Sequence, residues 1–421
     1  MRRGSSGEGA LWLCAGAAAA CLAAIVALLV WLGAAGLAPF WPGPIVEIGL
    51  ADGHTLLGEV AEQRGSTLVI RGSERERIGG AYARIDADAI VSRDTPRDAF
   101  AVTLSDGRRI FGRGDPPAAD ALLRSIPGAN ASAPAEWPNA HGFFGRMGTF
   151  LRDAGRFLVA STMAPSLAGG AFPALVGTVV LVFLMSLIVM PFGVATAVYL
   201  HERRGFAASL VRSAIANLAG VPSIVYGVLG LGLVVHGIGA DVDRWFFADR
   251  LPVPTFGSGG LLWAALTLAL LTLPVVVVSV EEGLGRIPPS LRAGSLALGA
   301  TRGETMWRLL LPAARPALLT GLILAIARAA GAVAPLMLVG VVKLAPALPI
   351  DGAFPFLHPS RQFMHLGFSV YDAALASPDA LRGVPRAYAC ALLLVIVVVA
   401  LNLAAIVLRN RLRERYRALE G

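Results

Sequence analysis

The sequence predicts an all-α integral membrane protein of six transmembrane helices, with a small, mainly β insertion after the first. Three observations carry that expectation. Hydrophobic residues make up 56% of the chain and charged residues 15%, a membrane balance rather than a soluble one. Apolar runs near the ~20 residues that a helix needs to cross the hydrocarbon recur along the chain. One long polar stretch, residues 40–170, contains no such run.

Taken in order, Arg2 and Arg3 precede an apolar run over residues 11–37. Ala-rich residues at 34–38 would suit a signal peptidase. The run is far longer than the usual ~7–15-residue signal core, so it reads as an uncleaved anchor occupying residues 1–39. Residues 40–170 follow as the insertion and its linker. There, Leu50-Ala51-Asp52-Gly53 with Leu56-Leu57-Gly58 matches Leu104-Ser105-Asp106-Gly107 with Ile110-Phe111-Gly112, position for position. Asp-Gly between strand-like runs favours tight hairpins, because Gly tolerates positive φ. The match implies two related hairpins, or two turns alike by chance. Residues 114–138 are rich in Pro, Ala, Ser and Gly and read as a linker. Phe143, Met147, Phe150, Leu151, Phe157 and Leu158 then recur at helical spacing among Arg146, Arg152 and Arg156. That pattern predicts an amphipathic helix lying on the membrane surface or, preferably, packed on the protein's own body.

Further spans are expected at 172–200, 207–235, 261–280, 318–341 and 388–407, within a membrane core 171–409 that ends in a basic tail, 410–421. Arg2 and Arg3, then Arg203, Arg204 and Arg212, then Arg286, Arg292, Arg302, Arg308 and Arg315, and finally the arginines of 409–417 fall on alternate connections and the termini. The positive-inside tendency places all of them in the cytoplasm, and so both termini, with the β insertion outside. The opposing connections carry Asp241, Asp243, Asp249, Asp351, Asp372 and Asp379. Pro191, Pro274 and Pro335 are expected to kink their spans.

The formal charge of +8 rests on arginine, with Lys343 the only lysine. Because the arginines gather at span ends, a lipid bilayer explains them and a nucleic-acid partner is not expected. Cys14, Cys21 and Cys390 lie inside apolar runs, and six His residues are scattered. No disulfide framework and no metal site is implied. No Gly-x4-Gly-Lys-Ser/Thr, Gly-x-Ser-x-Gly or His-Glu-x-x-His motif occurs, and Glu281-Glu282 sits at a membrane edge. No catalytic residue, cofactor or enzyme activity is therefore expected.

The most informative segment is the connection 281–316, which opens EEGLGRIPPSLRAGSLALGATRGETMWRLLLP. An Arg-rich, helix-forming connection of that length suits a docking element. Gly299, with Leu309, Leu311 and Pro312 following, resembles the Gly-x9-Ile-x-Leu-Pro part of the loop by which ABC importer permeases grip their ATPase. Asn217-Leu218-Ala219-Gly220-Val221-Pro222-Ser223-Ile224-Val225-Tyr226-Gly227 looks like the hallmark of the phosphate-importer permeases. Pro191-Phe192-Gly193-Val194-Ala195 with Tyr199-Leu200-His201-Glu202, Ala297-Leu298-Gly299-Ala300-Thr301, and Met364-His365-Leu366-Gly367-Phe368 are similar to further stretches of that family, in the same order. The resemblance runs from about residue 172 to the C-terminus, to the PstA-type permeases and their longer variants, and is much weaker over the β insertion.

This resemblance implies a type I ABC importer permease core in the bacterial inner membrane. It implies a separate cytoplasmic ATPase dimer (PstB-like), a second permease (PstC-like), a periplasmic phosphate-binding protein (PstS-like) and inorganic phosphate as cargo. ATPase coupling would fall on Arg292, Ala293, Gly294, Ser295, Gly299, Leu309, Leu311 and Pro312. The substrate pathway would fall on Arg328, Ser223, Tyr226 and Asn217. Two departures stand out. The loop's usual Glu-Ala-Ala is Ala293-Gly294-Ser295, and the family's Arg-x-x-Gly-Glu-x-Ala-Pro ends in Ala332-Val333-Ala334-Pro335 without its acid. Arg328 is then expected in mid-span, where charge costs about 2.5–3.5 kcal/mol on the mildest scale, with no carboxylate one turn on. Its fork suits phosphate, while pairing with backbone carbonyls, another helix or a partner carboxylate is the structural alternative. Pro222 implies either a broken helix lining the route or a packing kink. The rival functions are an importer for another oxyanion, sulfate or molybdate, and a phosphate-sensing membrane scaffold that does not transport.

Overall fold

A computed structural model describes residues 6–72, 82–103, 109–124, 135–160, 170–377 and 380–417. The chain divides into two compact units, Met1–Phe172 with Val370–Leu392, and Pro173–Ser369 with Leu393–Gly421.

In the first unit, α1 (Ser6–Leu37) runs into a short 3-10 turn, Ala38–Phe40. The apolar helix Leu11–Phe40 has 30 residues, about 45 Å at 1.5 Å per residue, and outreaches the hydrocarbon. Residues 11–31 are all exposed, as a lipid-facing surface is.

The chain then forms β1 (Ile45–Leu50), β2 (Thr55–Arg64), β3 (Thr67–Gly72), β4 (Tyr82–Asp86) and β5 (Ile90–Asp94). They make one antiparallel sheet in the order β4-β3-β2-β1-β5. The first Asp-Gly turn closes the β1–β2 hairpin as expected: Gly53 has φ +82°, and its N–H donates to Leu50 O over 3.0 Å. The second match pairs β6 (Ala99–Thr103) with β7 (Arg109–Arg113) in a separate two-stranded ribbon, while its turn, residues 104–108, lies outside the described residues. Alternation along β1 serves both faces. Val46 and Ile48 pack with Leu68, Ile70 and Ile85, and Ile45 packs with Ala99, Ala101 and Phe111.

Part of the expected linker is instead a helix, α2 (Pro116–Arg124). Pro at the start of a helix is tolerated, and Ala and Leu are strong helix formers, so the same composition reads either way. Ala119, Leu122 and Leu123 pack against Phe100 and Val102. Residues 125–134 lie outside the described residues.

The amphipathic helix forms as α3 (Phe143–Val159). Phe157 packs on Phe40, with ring centroids 5.2 Å apart, and Phe143 and Phe150 pack on Trp41 at 6.1 and 5.9 Å. Arg152 pairs with Glu136, and Arg109 pairs with Glu59 at 2.7 Å. Burial pushes the Glu136 and Asp153 carboxyls up, against the pull of the neighbouring arginines.

The second unit comprises α4 (Phe172–Glu202), α5 (Phe206–Gly220), α6 (Ser223–Leu229), a π stretch Gly230–Gly239, α7 (Ala240–Phe246), α8 (Leu261–Gly285), α9 (Pro289–Ala297), α10 (Arg302–Glu304), a second π stretch Thr305–Leu310, α11 (Leu311–Ala313), α12 (Arg315–Ala330), α13 (Leu336–Val339) and α14 (Leu366–Tyr371). A long helix, α15 (Ala380–Arg417), closes the chain. The core centres on α8, whose Leu268, Leu271, Val276, Val277 and Val280 meet Leu181, Met185 and Val189 of α4 and Ala325 and Ala329 of α12. Small residues permit the approach: a side chain at Gly193 would strike Val276, and one at Gly283 would strike Ala317.

Among the described residues, five helices are long and apolar enough to span: Leu11–Phe40, Phe172–Glu202, Ser223–Phe246, Leu261–Gly285 and Gly383–Arg411. A sixth arises if Arg302–Ala313 and Arg315–Ala330, bent by 64°, count as one. Two expected spans are therefore redrawn. The run 207–235 is not one helix. α5 stops at Gly220, Val221 is extended (φ −71°, ψ +131°) before Pro222, and the spanning helix is Ser223–Phe246. The run 318–341 is not one helix either, since α12 ends at Ala330 and α13 starts only at Leu336. Pro191 and Pro274 lie inside helices, whereas Pro335 precedes one. Asp243 also differs from an exposed loop acid. It is buried in α7 and accepts N–H groups from Thr255, Phe256 and Gly257 at 2.9, 2.9 and 2.7 Å.

In the connection 341–365, Asp351 accepts from Arg361, from the Ala353 N–H at 2.9 Å, and pairs with His358 Nε2 at 2.9 Å. The Arg361 hydrogen bond, foremost, holds its carboxyl at about 2.

Candidate functional site

The break between α5 and α6 follows from one missing hydrogen. In an unbroken helix the Leu218 carbonyl would accept the N–H of residue 222, and proline has none. Val221 N–H reaches Leu218 O at 3.2 Å, and the Tyr226 hydroxyl donates to it at 2.6 Å. Tyr226 is buried, and its hydroxyl hydrogen is committed to the carbonyl that Pro222 leaves open. The next residue, Gly227, sits against Pro335, where a side chain would come within 2.8 Å of its Cα. Ser223, the first residue of α6, and Asn217, in the last turn of α5, are exposed.

Arg328 is exposed and lies in the last turn of α12, not in mid-helix as expected. A cation there complements the partial negative charge of a helix C-terminus. Among the described residues it makes no ion pair, and no hydrogen bond ties it to Ser223, Tyr226 or Asn217. Residue 332 lies beyond the helix, because α12 has ended and the Ala332 N–H turns back to Ala329 O at 3.1 Å. An acid there would not stand one helical turn beyond Arg328 on the same face.

The connection 281–316 has two halves of different character. The first is α9, with exposed Ala293 and Gly294 and with Leu291, Leu296 and Leu298 outward, Leu298 at 91% exposure. Its end is a two-bond glycine cap. Gly299 has φ +88°, its N–H donates to Leu296 O at 3.0 Å, and the Ala300 N–H donates to Ser295 O at 3.2 Å. Nothing approaches the place a Gly299 side chain would take, so backbone conformation alone selects glycine there.

In the second half, Thr301 and Glu304 form a reciprocal cap, Glu304 N–H to Thr301 Oγ1 at 3.2 Å and Thr301 N–H to Glu304 Oε2 at 2.9 Å. These bonds hold the Glu304 carboxyl below its ordinary range. Leu311 is buried with Met306 and Leu310 in the core, and Leu309 and Pro312 are half-buried. Residues 309–312 are therefore packed toward the core, while much of α9 is exposed.

Two polar ties fix α9. Arg292 Nη2 donates to Glu202 Oε2 at 2.6 Å, at the end of α4, and Ser295 meets the Thr305 hydroxyl at 2.9 Å. Arg212 pairs with Glu281 beside them. Sequence reasoning missed these partners. Thr301-x-x-Glu304 was readable as a capping signature, but Glu202 lies 90 residues from Arg292 and no local signal links them.

Residues 189–418, more than half of the chain, match the family described as binding-protein-dependent transport system inner membrane component. The chain is 34% identical over 187 residues to the probable ABC transporter permease protein YqgH of Bacillus subtilis, covering 44% of this chain and 57% of that protein. It is 34% identical over 243 residues to phosphate transport system permease protein PstA 1 of Mycobacterium tuberculosis (H37Rv), covering 58% and 70%. It is 30% identical over 194 residues to the probable phosphate transport system permease protein PstA of Methanocaldococcus jannaschii, covering 45% and 63%. Among solved structures, an inward-facing MetNI methionine ABC transporter chain aligns with TM-score 0.39 at 21% identity, covering 58% of this chain and 94% of that one. On the family match and these identities, the chain belongs to the binding-protein-dependent transport system inner membrane components, a multi-pass ABC importer permease subunit.

Proposed function

We propose that the chain is the permease subunit that moves inorganic phosphate across the bacterial inner membrane, powered by a separate ATPase dimer. The observation that carries this reading is the 217–227 stretch, which looks like the phosphate-importer hallmark and folds as a proline-broken helix whose open carbonyl is met by Tyr226. Relatives named phosphate transport permeases, at 30–34% identity, support it. In this reading α9 and Gly299 receive the cytoplasmic ATPase, the β unit faces the periplasm near a phosphate-binding protein, and a second permease completes the pathway around Arg328. Both termini are cytoplasmic. The chain itself hydrolyses nothing.

The test is uptake of labelled phosphate in a strain lacking its own permeases, with the cognate ATPase, second permease and binding protein supplied. Phosphate uptake that excess sulfate and molybdate do not suppress is expected. Suppression by either would reassign the cargo. An assembled complex that binds ATPase but takes up none of the three would instead favour a sensing scaffold.

A further inference from the structure

We infer that α3 is a membrane-surface anchor, its Phe144, Leu151 and Leu158 stripe lying in the bilayer interface where the first span emerges. The helix is placed there by contacts along one side. Phe143, Phe150 and Phe157 recur every seven residues and close on Trp41 and Phe40, which end the apolar helix Leu11–Phe40. Arg146 lies over the Trp41 ring at 5.3 Å and donates to Pro42 O at 2.7 Å, fixing the helix to the chain just past that span. At its other end, the Ala171 N–H donates to Phe157 O at 2.7 Å, and Phe172 opens the next span.

The adjacent stripe has no cover in the chain. Phe144 is 88% exposed, Leu151 62% and Leu158 42%, with Val159 at 73% beside them. Gly148 and Gly155 lie between these side chains on the same face and keep it smooth. The arginines keep off this face: Arg152 turns to Glu136, and Arg156 is exposed on the opposite flank. An apolar stripe flanked by aromatic residues and arginine is the pattern of a helix lying in the headgroup region. Lipid is the occupant because α3 is seated on Phe40 and Trp41, at the end of an apolar span whose Leu28, Leu29 and Leu37 are also exposed. The inference does not depend on which solute the permease carries.

The test uses the full chain in lipid nanodiscs without partner proteins. Cys14, Cys21 and Cys390 are replaced by alanine, and single cysteines are introduced as Phe144→Cys, Leu151→Cys, Leu158→Cys and, as a control, Arg156→Cys. Each carries an environment-sensitive fluorophore. The first three should be quenched by lipids spin-labelled near the headgroup more than by lipids labelled at the chain end, as an insertion depth of ~5–10 Å requires, and be protected from aqueous iodide. The control should be open to iodide. Iodide access at all four positions overturns the proposal. So does shielding of the three from both quenchers, which would mean burial against protein, and so does protection that appears only when a second permease is added.

Discussion

Tyr226 shows how one hydroxyl can be claimed twice. Sequence places it among pathway residues, whereas the structure commits its hydrogen to the Leu218 carbonyl beside Pro222. Tyr226→Phe should therefore lower stability by about 1 kcal/mol, near the net worth of one hydrogen bond, because Val221 N–H still reaches that carbonyl. Thermal unfolding in detergent checks the loss, with transport retained. Lost uptake at unchanged stability would return the hydroxyl to the pathway. Arg328 runs the other way. It is exposed and has no ion-pair partner among the described residues, so no contact within the chain uses its charge. Arg328→Gln should cut uptake by about tenfold or more, the weight of a charge-assisted contact, while the second permease still co-purifies. Normal transport would remove Arg328 from the pathway, and failed assembly would make its role structural.

At the scale of elements, α9 and its glycine cap carry the coupling argument. Gly299 faces open space, so Gly299→Trp meets no clash within the chain, and only backbone strain of roughly 1–2 kcal/mol opposes it. Gly299→Ala bears the same strain without the bulk. If α9 receives the ATPase, the Trp variant should insert normally, hydrolyse ATP and import little, whereas the Ala variant keeps much of the uptake. Equal uptake by wild type and Gly299→Trp would sink the docking assignment. Gly299 was legible through its resemblance to the importer motif, at a fixed distance from Leu309, Leu311 and Pro312, and the structure makes it a left-handed cap. Helix ends were less so. Hydropathy runs on through Val221-Pro222 and through 331–335, so both breaks were absorbed into single spans, although proline marked each. α2 was hidden for the opposite reason, since Pro and Ala suit both a linker and the first turns of a helix. The Arg292–Glu202 tie is tertiary and had no sequence signal at all.

At the scale of the molecule, the β unit is separable by its own packing. Its sheet closes two small cores, one of Val46, Ile48, Leu68, Ile70 and Ile85, the other around Ile45, Ala99, Ala101 and Phe111. The chain enters and leaves at one place, because Asn139 accepts the Ile45 N–H at 3.0 Å and donates to Ile45 O at 2.7 Å. Removing residues 46–134 therefore leaves ends that a few residues can bridge, at ~3.3–3.6 Å each when extended. Trp137 loses Phe100 and the Gly114 carbonyl, so the linker must cover it, but the contacts of α3 remain. α3 keeps its seat on Phe40 and Trp41, Arg146 keeps Pro42, and Glu136, which burial pushes toward the neutral form, keeps Arg152 although it loses Arg109. The sheet contributes none of the residues assigned to the pathway or to ATPase coupling. If it only tunes contact with the binding protein, the deletion should insert, assemble and transport measurably, with a higher half-saturating concentration of binding protein and an unchanged basal ATPase rate in proteoliposomes. A deletion that assembles normally yet takes up nothing would show that the β unit is part of the transport path.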